Sequence, residues 1–128
     1  MDEPDPDPEP GARRPGRSGE DLAADYLRGK GMAILDRNYR CRAGEIDIVA
    51  RDGGVVVFVE VKERRSDSHG TAVEAVTWRK RQRIVRAARV YAAVHQLADA
   101  PVRFDVLAID WGPSGPRVRH DAGAFAEG

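Results

Sequence analysis

The segments GEIDIVAR (44–51) and VVVFVEVK (55–62), separated by Asp52-Gly53-Gly54, constrain this chain more than anything else in it. Two β-rich runs joined through a Gly-Gly pair predict an antiparallel hairpin. With Gly53-Gly54 as a two-residue loop, Asp52 pairs with Val55, Asp47 lies opposite Glu60, and Glu45 lies opposite Lys62. With Asp52-Gly53 as the loop, pairing slides by two and the facial assignment is unchanged. One face carries Ile46, Ile48, Ala50, Val55, Val57, Val59 and Val61, all apolar. The other carries Glu45, Asp47, Val49, Val56, Phe58, Glu60 and Lys62, with its polar groups at one end.

That end gathers three carboxylates and one ammonium within cross-strand reach. Like charges directly opposed destabilise a sheet, so Asp47 facing Glu60 calls for a cation or a raised pKa. Paired carboxylates suit Mg²⁺, which takes oxygen ligands, keeps several waters, and is commonly completed by a substrate phosphate. Lys62 lies on the same face, two residues from Glu60, placed for a metal-bound water or a phosphate. The plain alternative is a solvated hairpin end bridged by Lys62. Charges set among Ile46, Ile48, Val49, Phe58, Val59 and Val61 favour a purpose.

Around the hairpin the pattern predicts a helix from Gly19 to Lys30, capped by Ser18, with Leu22, Ala23, Tyr26 and Leu27 as its apolar stripe. A strand follows over 32–40, and Arg42-Ala43-Gly44 turn the chain into the hairpin. Beyond Lys62 a polar loop, 63–70, precedes a long helix from Thr77 or Trp78 to Leu97, with Ile84, Ala87, Ala88, Tyr91 and Val94 at helical spacing. Strands at 102–110 and 118–125 complete the order αβββαβ(β). This is an α/β or α+β mixed sheet of about four to five strands with two main helices.

At 128 residues there is room for one domain. Residues 1–10, MDEPDPDPEP, hold five acids, four prolines and no base. The formal net charge of zero therefore averages an acidic arm (1–15, expected to be disordered) with a basic domain (16–128). A basic domain points to polyanions. No run of 18 apolar residues is present to span a membrane. One cysteine, Cys41, forms no internal disulfide or thiolate zinc site, and His69, His95 and His120 lack metal-ligand spacing. A free thiol and an acidic, proline-rich start fit the cytoplasm.

The stretches GEDLAADYLRGKG (19–31), ILDRNYR (34–40), GEIDIVARD (44–52), VFVEVKER (57–64), AVEAVTWRK (72–80), RFDV (103–106) and a final AF (124–125) together resemble the YraN-like family of small, uncharacterised bacterial proteins. Asp47 followed by Glu60-Val61-Lys62 likewise resembles the PD-(D/E)xK signature of nucleases with a restriction-endonuclease-like fold. Ile46 stands where the generic signature has proline, as is usual within the family.

The resemblance implies a metal-dependent nuclease with Mg²⁺ or Mn²⁺ as cofactor and no organic cofactor. Asp47 and Glu60 would be metal carboxylates, Val61 would lend a backbone carbonyl, and Lys62 would be the catalytic lysine. Glu20 matches an extra acid supplied by an N-terminal helix. It shares a face with Ala23 and Leu27, which turns it toward the sheet. Lys80 precedes Ile84 by four residues, on the core-facing stripe of the long helix, where related nucleases carry a lysine or glutamine acting on phosphate. Arg79, Arg83 and Arg86 make that helix basic and suit phosphate contact. Trp78 is expected to pack inside, Tyr39 is open between packing and base stacking, and Arg103 and Asp105 are expected to serve the sheet.

The partner is nucleic acid, DNA or RNA; homodimerisation is common in this fold and unspecified here. Two rivals remain: a nucleic-acid-binding module with weak or no turnover, and a small scaffold that docks a partner.

Overall fold

The computed structural model describes residues 18–65 and 70–127; the acidic arm and His69 lie outside them. The chain forms α1 (Gly19–Gly29), β1 (Ala33–Cys41), β2 (Gly44–Asp52), β3 (Val55–Arg65), α2 (Ala72–Ala75), α3 (Trp78–Val94), β4 (Val102–Gly112) and β5 (Gly115–Phe125). The five strands lie side by side in chain order. Every neighbouring pair is antiparallel except β3 and β4, which are parallel and linked through α2 and α3. The helices divide between the two faces of this sheet. Ala23, Ala24 and Leu27 of α1 pack with Ile48, Ala50, Val57, Val59, Leu107 and Ile109. Ala72 and Val76, with Ile84, Val85, Ala87, Ala88 and Tyr91 of α3, pack with Val49, Val56, Phe58, Phe104 and Val106.

Helix starts follow the caps. Ser18 accepts from the Asp21 N–H at 3.1 Å and Thr77 from the Lys80 N–H at 3.2 Å. Thr71 and Glu74 form a complete capping box on α2, a helix too short for periodicity to reveal. The 63–70 loop is therefore shorter than expected, because β3 continues to Arg65. Val94 was expected on the buried stripe; it is 65% exposed, because α3 outruns the sheet it packs on.

In the hairpin Asp52 pairs with Val55 and Ile48 with Val59, the register of a Gly53-Gly54 loop. One expectation about its faces fails. Ile46 lies in the α3-side core and Ile48 in the α1-side core, although two residues apart on one strand. On β1, Arg37 pairs with Ile48 and Tyr39 with Ile46. Arg37 bonds Asp21 of α1, whereas Tyr39 packs edge-on against Tyr91 of α3, ring centroids 4.9 Å apart. Both strands thus change face at one rung, Asn38 opposite Asp47. Asn38 has φ 55°, the left-handed region that asparagine enters more readily than most residues.

The one buried charged residue among the described residues stands on β4. Asp105, fully buried, accepts from Arg103 (2.9 and 3.0 Å), from His120 Nε2 (2.7 Å) and from the Gly123 N–H (3.0 Å). Burial alone would raise its pKa; these bonds more than offset that and hold it below the usual carboxylate range. Arg103 and Asp105 do serve the sheet, by tying β4 to β5.

Candidate functional site

The change of face at Asp47 sets up the site. The recorded β2–β3 pairing ends at Ile48–Val59, so Asp47 and Glu60 lie just past the last rung. Freed from the ladder, the Asp47 side chain reaches across, and its Oδ2 accepts the Val61 N–H at 2.8 Å. Val61 therefore meets Asp47 through its N–H. Glu60 follows Phe58 on the α3 face, close enough to Asp47 that each carboxyl group perturbs the other.

Lys80, in the first turn of α3, brings Nζ to 3.7 Å from Glu60 Oε2. The Glu60 side chain is only 11% exposed. Burial, then the neighbouring Asp47 charge, push its pKa from 4.5 up to about 7, against the pull of Lys80 and Lys62. Burial raises Asp47 as well, opposed by the Val61 N–H, Glu60 and Lys80. Burial is the first cause for both groups, and each carboxylate is easier to protonate than it would be in water.

Lys62 is half-buried and acts on Glu60 through its charge. Glu45, expected opposite Lys62, is exposed and ion-paired with Arg40 at 3.1 Å, and reaches the cluster only through its charge, which raises Asp47 further. Glu20 is also held elsewhere. Its Oε1 accepts from Arg37 Nη2 at 3.1 Å and from Asn38 Nδ2 at 2.9 Å, while Arg37 also binds Asp21 at 2.8 Å. Glu20 thus supports the rung at which the strands change face and adds no third carboxylate to the pair. Among the described residues no group of three or more His, Cys, Asp or Glu side chains is placed to hold a metal ion.

The donor set nevertheless fits a hard divalent cation. Two oxygen-bearing side chains face each other, both with raised proton affinity, and waters or a phosphate can supply the rest. A cation between them would displace a bound proton and relieve their repulsion.

Beside this pair lies a groove of about 820 Å³ between the β1–β2 turn and the start of α3. Its floor is set by Gly44, where an added Cβ would come within 3.2 Å of the Arg83 carbonyl oxygen. Arg79, Arg83 and Arg86 of α3 line it, as do Arg40 at the end of β1 and Arg42 of the turn. The sequence reading missed those last two because the turn is far from α3 along the chain. Lys80 and Glu45 also line the groove, which joins it to the carboxylate pair. Trp78, expected inside, is 72% exposed at the mouth of this groove. Two α3 cations lie outside it: Arg81 binds the carbonyls of Val73 and Val76 at 2.9 and 2.8 Å and lies over Phe125, and Arg89 pairs with Glu127 at 3.7 Å.

The profile of uncharacterised protein family UPF0102 matches residues 19–109, which include every site residue named above. A UPF0102 protein of Frankia alni is 51% identical over 111 residues, covering 86% of this chain and 92% of the relative. One of Symbiobacterium thermophilum is 49% identical over 104 residues, covering 81% and 88%. A third, of Geobacter sulfurreducens, is 49% identical over 111 residues, covering 86% and 87%. The chain belongs to UPF0102, the uncharacterised bacterial family whose YraN-like motifs its sequence carries.

Proposed function

We propose that this protein is a metal-dependent phosphodiesterase acting on nucleic acid in the cytoplasm, built on a restriction-endonuclease-like core. The observation that carries the reading is the Asp47–Glu60 pair, set just past the last rung of the hairpin, with the Val61 N–H on Asp47 and Lys80 3.7 Å from Glu60. Asp47 and Glu60 would hold Mg²⁺ or Mn²⁺, which when bound supplies Lewis-acid stabilisation of phosphoryl charge and a more acidic water. Val61 keeps Asp47 oriented by donating its N–H. Lys62, on the strand that carries Glu60, is placed to orient the attacking water and to take or give a proton. Lys80 adds positive charge where a scissile phosphate would meet Glu60. Arg79, Arg83 and Arg86 hold the flanking phosphates.

The test combines two measurements on the full chain. Mn²⁺ or Mg²⁺ is titrated by calorimetry into wild type, Asp47→Asn and Lys62→Ala, and end-labelled DNA and RNA are then assayed for cleavage. The reading requires metal binding that Asp47→Asn abolishes and Lys62→Ala keeps, with cleavage lost in both. Metal-independent, salt-sensitive binding without cleavage would instead pick out a binding module, which the arginine-lined groove alone would support.

A further inference from the structure

The indole of Trp78 requires an explanation that packing does not give. It is the most exposed large apolar side chain among the described residues, at 72%, and it stands in a groove that five arginines also line. A large aromatic left in water forgoes the burial that normally accounts for its presence. Arginines beside an exposed aromatic form the pairing that binds unpaired nucleotides, cations on phosphates and a ring under a base. Duplex DNA offers its phosphates to such a groove but covers the faces of its internal bases by stacking. A single strand offers both.

We infer that the groove takes a single-stranded polynucleotide segment, with a base stacked on Trp78 and adjacent phosphates on Arg79, Arg83 and Arg86. Lys80 lines the same groove and reaches Glu60, so a strand seated this way delivers a neighbouring phosphodiester to the carboxylate pair. Arg40 and Arg42 also line the groove; Arg40 is already paired with Glu45 and contributes less than its formal charge. The substrate class is therefore a nucleic acid with unpaired bases, such as a free end, a flap or a gap. The inference rests on the phosphodiesterase reading for what happens to the strand, and is independent of it for binding.

The experiment measures binding in chelator, so that cleavage plays no part. Fluorescence polarisation compares oligo(dT), oligo(rU) and a blunt duplex of equal length on wild type, Trp78→Ala and Trp78→Phe. Stacking contributes on the order of 1–3 kcal/mol per base, so Trp78→Ala should weaken single-strand binding roughly 5- to 140-fold. Trp78→Phe should restore most of it, and the salt dependence should stay unchanged. In a Trp111→Phe background Trp78 is the remaining tryptophan of the two in the chain, and its emission should be quenched by the bound strand. The two oligonucleotides tell DNA from RNA. No binding to either strand, equal affinity for Trp78→Ala, or a blunt duplex bound as tightly as the single strand would overturn the inference. Melting curves check that the variants fold, as substitution of an exposed side chain should allow. Failure to cleave with metal present, while this binding pattern holds, would count against the phosphodiesterase reading alone.

Discussion

The sharpest consequence of the carboxylate pair is a pH-dependent weakness of the metal-free protein, which Glu60→Gln should remove. In the folded chain Glu60 holds its proton up to about 7, against an ordinary value of 4.5. Between those values the folded state binds more protons than the unfolded state, so stability falls as pH rises. The contribution is fully present below pH 4.5 and is lost by the time pH passes about 7. Each pH step of that interval corresponds to about 1.4 kcal/mol, which makes the loss about 3 kcal/mol. For a chain of this size that is roughly 10 °C in melting temperature. A glutamine at position 60 stays neutral throughout and can donate to the Asp47 oxygen not used by Val61. Scanning calorimetry in chelator from pH 5 to 7.5 should show wild type losing stability relative to Glu60→Gln. Taking that difference cancels the titration of Asp105 and other groups common to both. At pH 7.5 a divalent ion should close most of that gap: ligand at about 100 times Kd stabilises wild type by roughly 2.7 kcal/mol and leaves the variant unmoved. If the difference stays flat over this interval, or Glu60→Gln is the less stable protein at pH 7.5 in chelator, the pair is not a strained metal site.

Three further outcomes are expected. Lys80→Ala should reduce cleavage far more than nucleic-acid binding, whereas Arg83→Ala and Arg86→Ala should each lower the slope of log affinity against log salt by about 0.7 on a single strand, read from binding isotherms. Glu20→Gln should leave metal affinity within about twofold by calorimetry, because Arg37 and Asn38 already hold that carboxylate; a complete loss would place Glu20 among the ligands. Asp105→Ala removes the acceptor shared by half-buried Arg103, His120 and the Gly123 N–H, and should cost about 3 kcal/mol in urea denaturation, with less than about 1 kcal/mol refuting the network's importance.

The hairpin register was legible because a Gly-Gly pair between β-branched runs leaves few loops to choose from. The polar end was legible because charges stood in otherwise apolar strands. The face change at Asn38 and Asp47 was not, since alternation assumes every residue keeps the β conformation and Ile46 is apolar on either face. Trp78 and Val94 show a second limit. Periodicity gives the direction a side chain takes from its helix and says nothing of where the opposing surface ends. The buried residues of α3 run only from Ile84 to Tyr91, so both its ends overhang. Glu20 was rightly turned toward the sheet, but its partners come from β1, and nothing local announces Arg37. Asp105 depends on His120 and Gly123 of another strand, a relation that only the folded chain displays.

The parallel seam between β3 and β4 bears on how the site comes into being. The β2–β3 hairpin joins residues close in the chain, and such hairpins close in about 1–10 μs. Pairing β3 with β4 must wait until the chain from Arg65 to Val102 has looped over the sheet, a non-local closure of the kind that slows folding. Asp47 and Glu60 belong to the early unit, whereas Lys80 arrives with the crossing helix. A chain halted at the hairpin would hold two facing carboxylates without the ammonium that partly balances them. On that order the acid pair would stay unbalanced until α3 delivers Lys80, and a divalent ion would favour the partly built sheet.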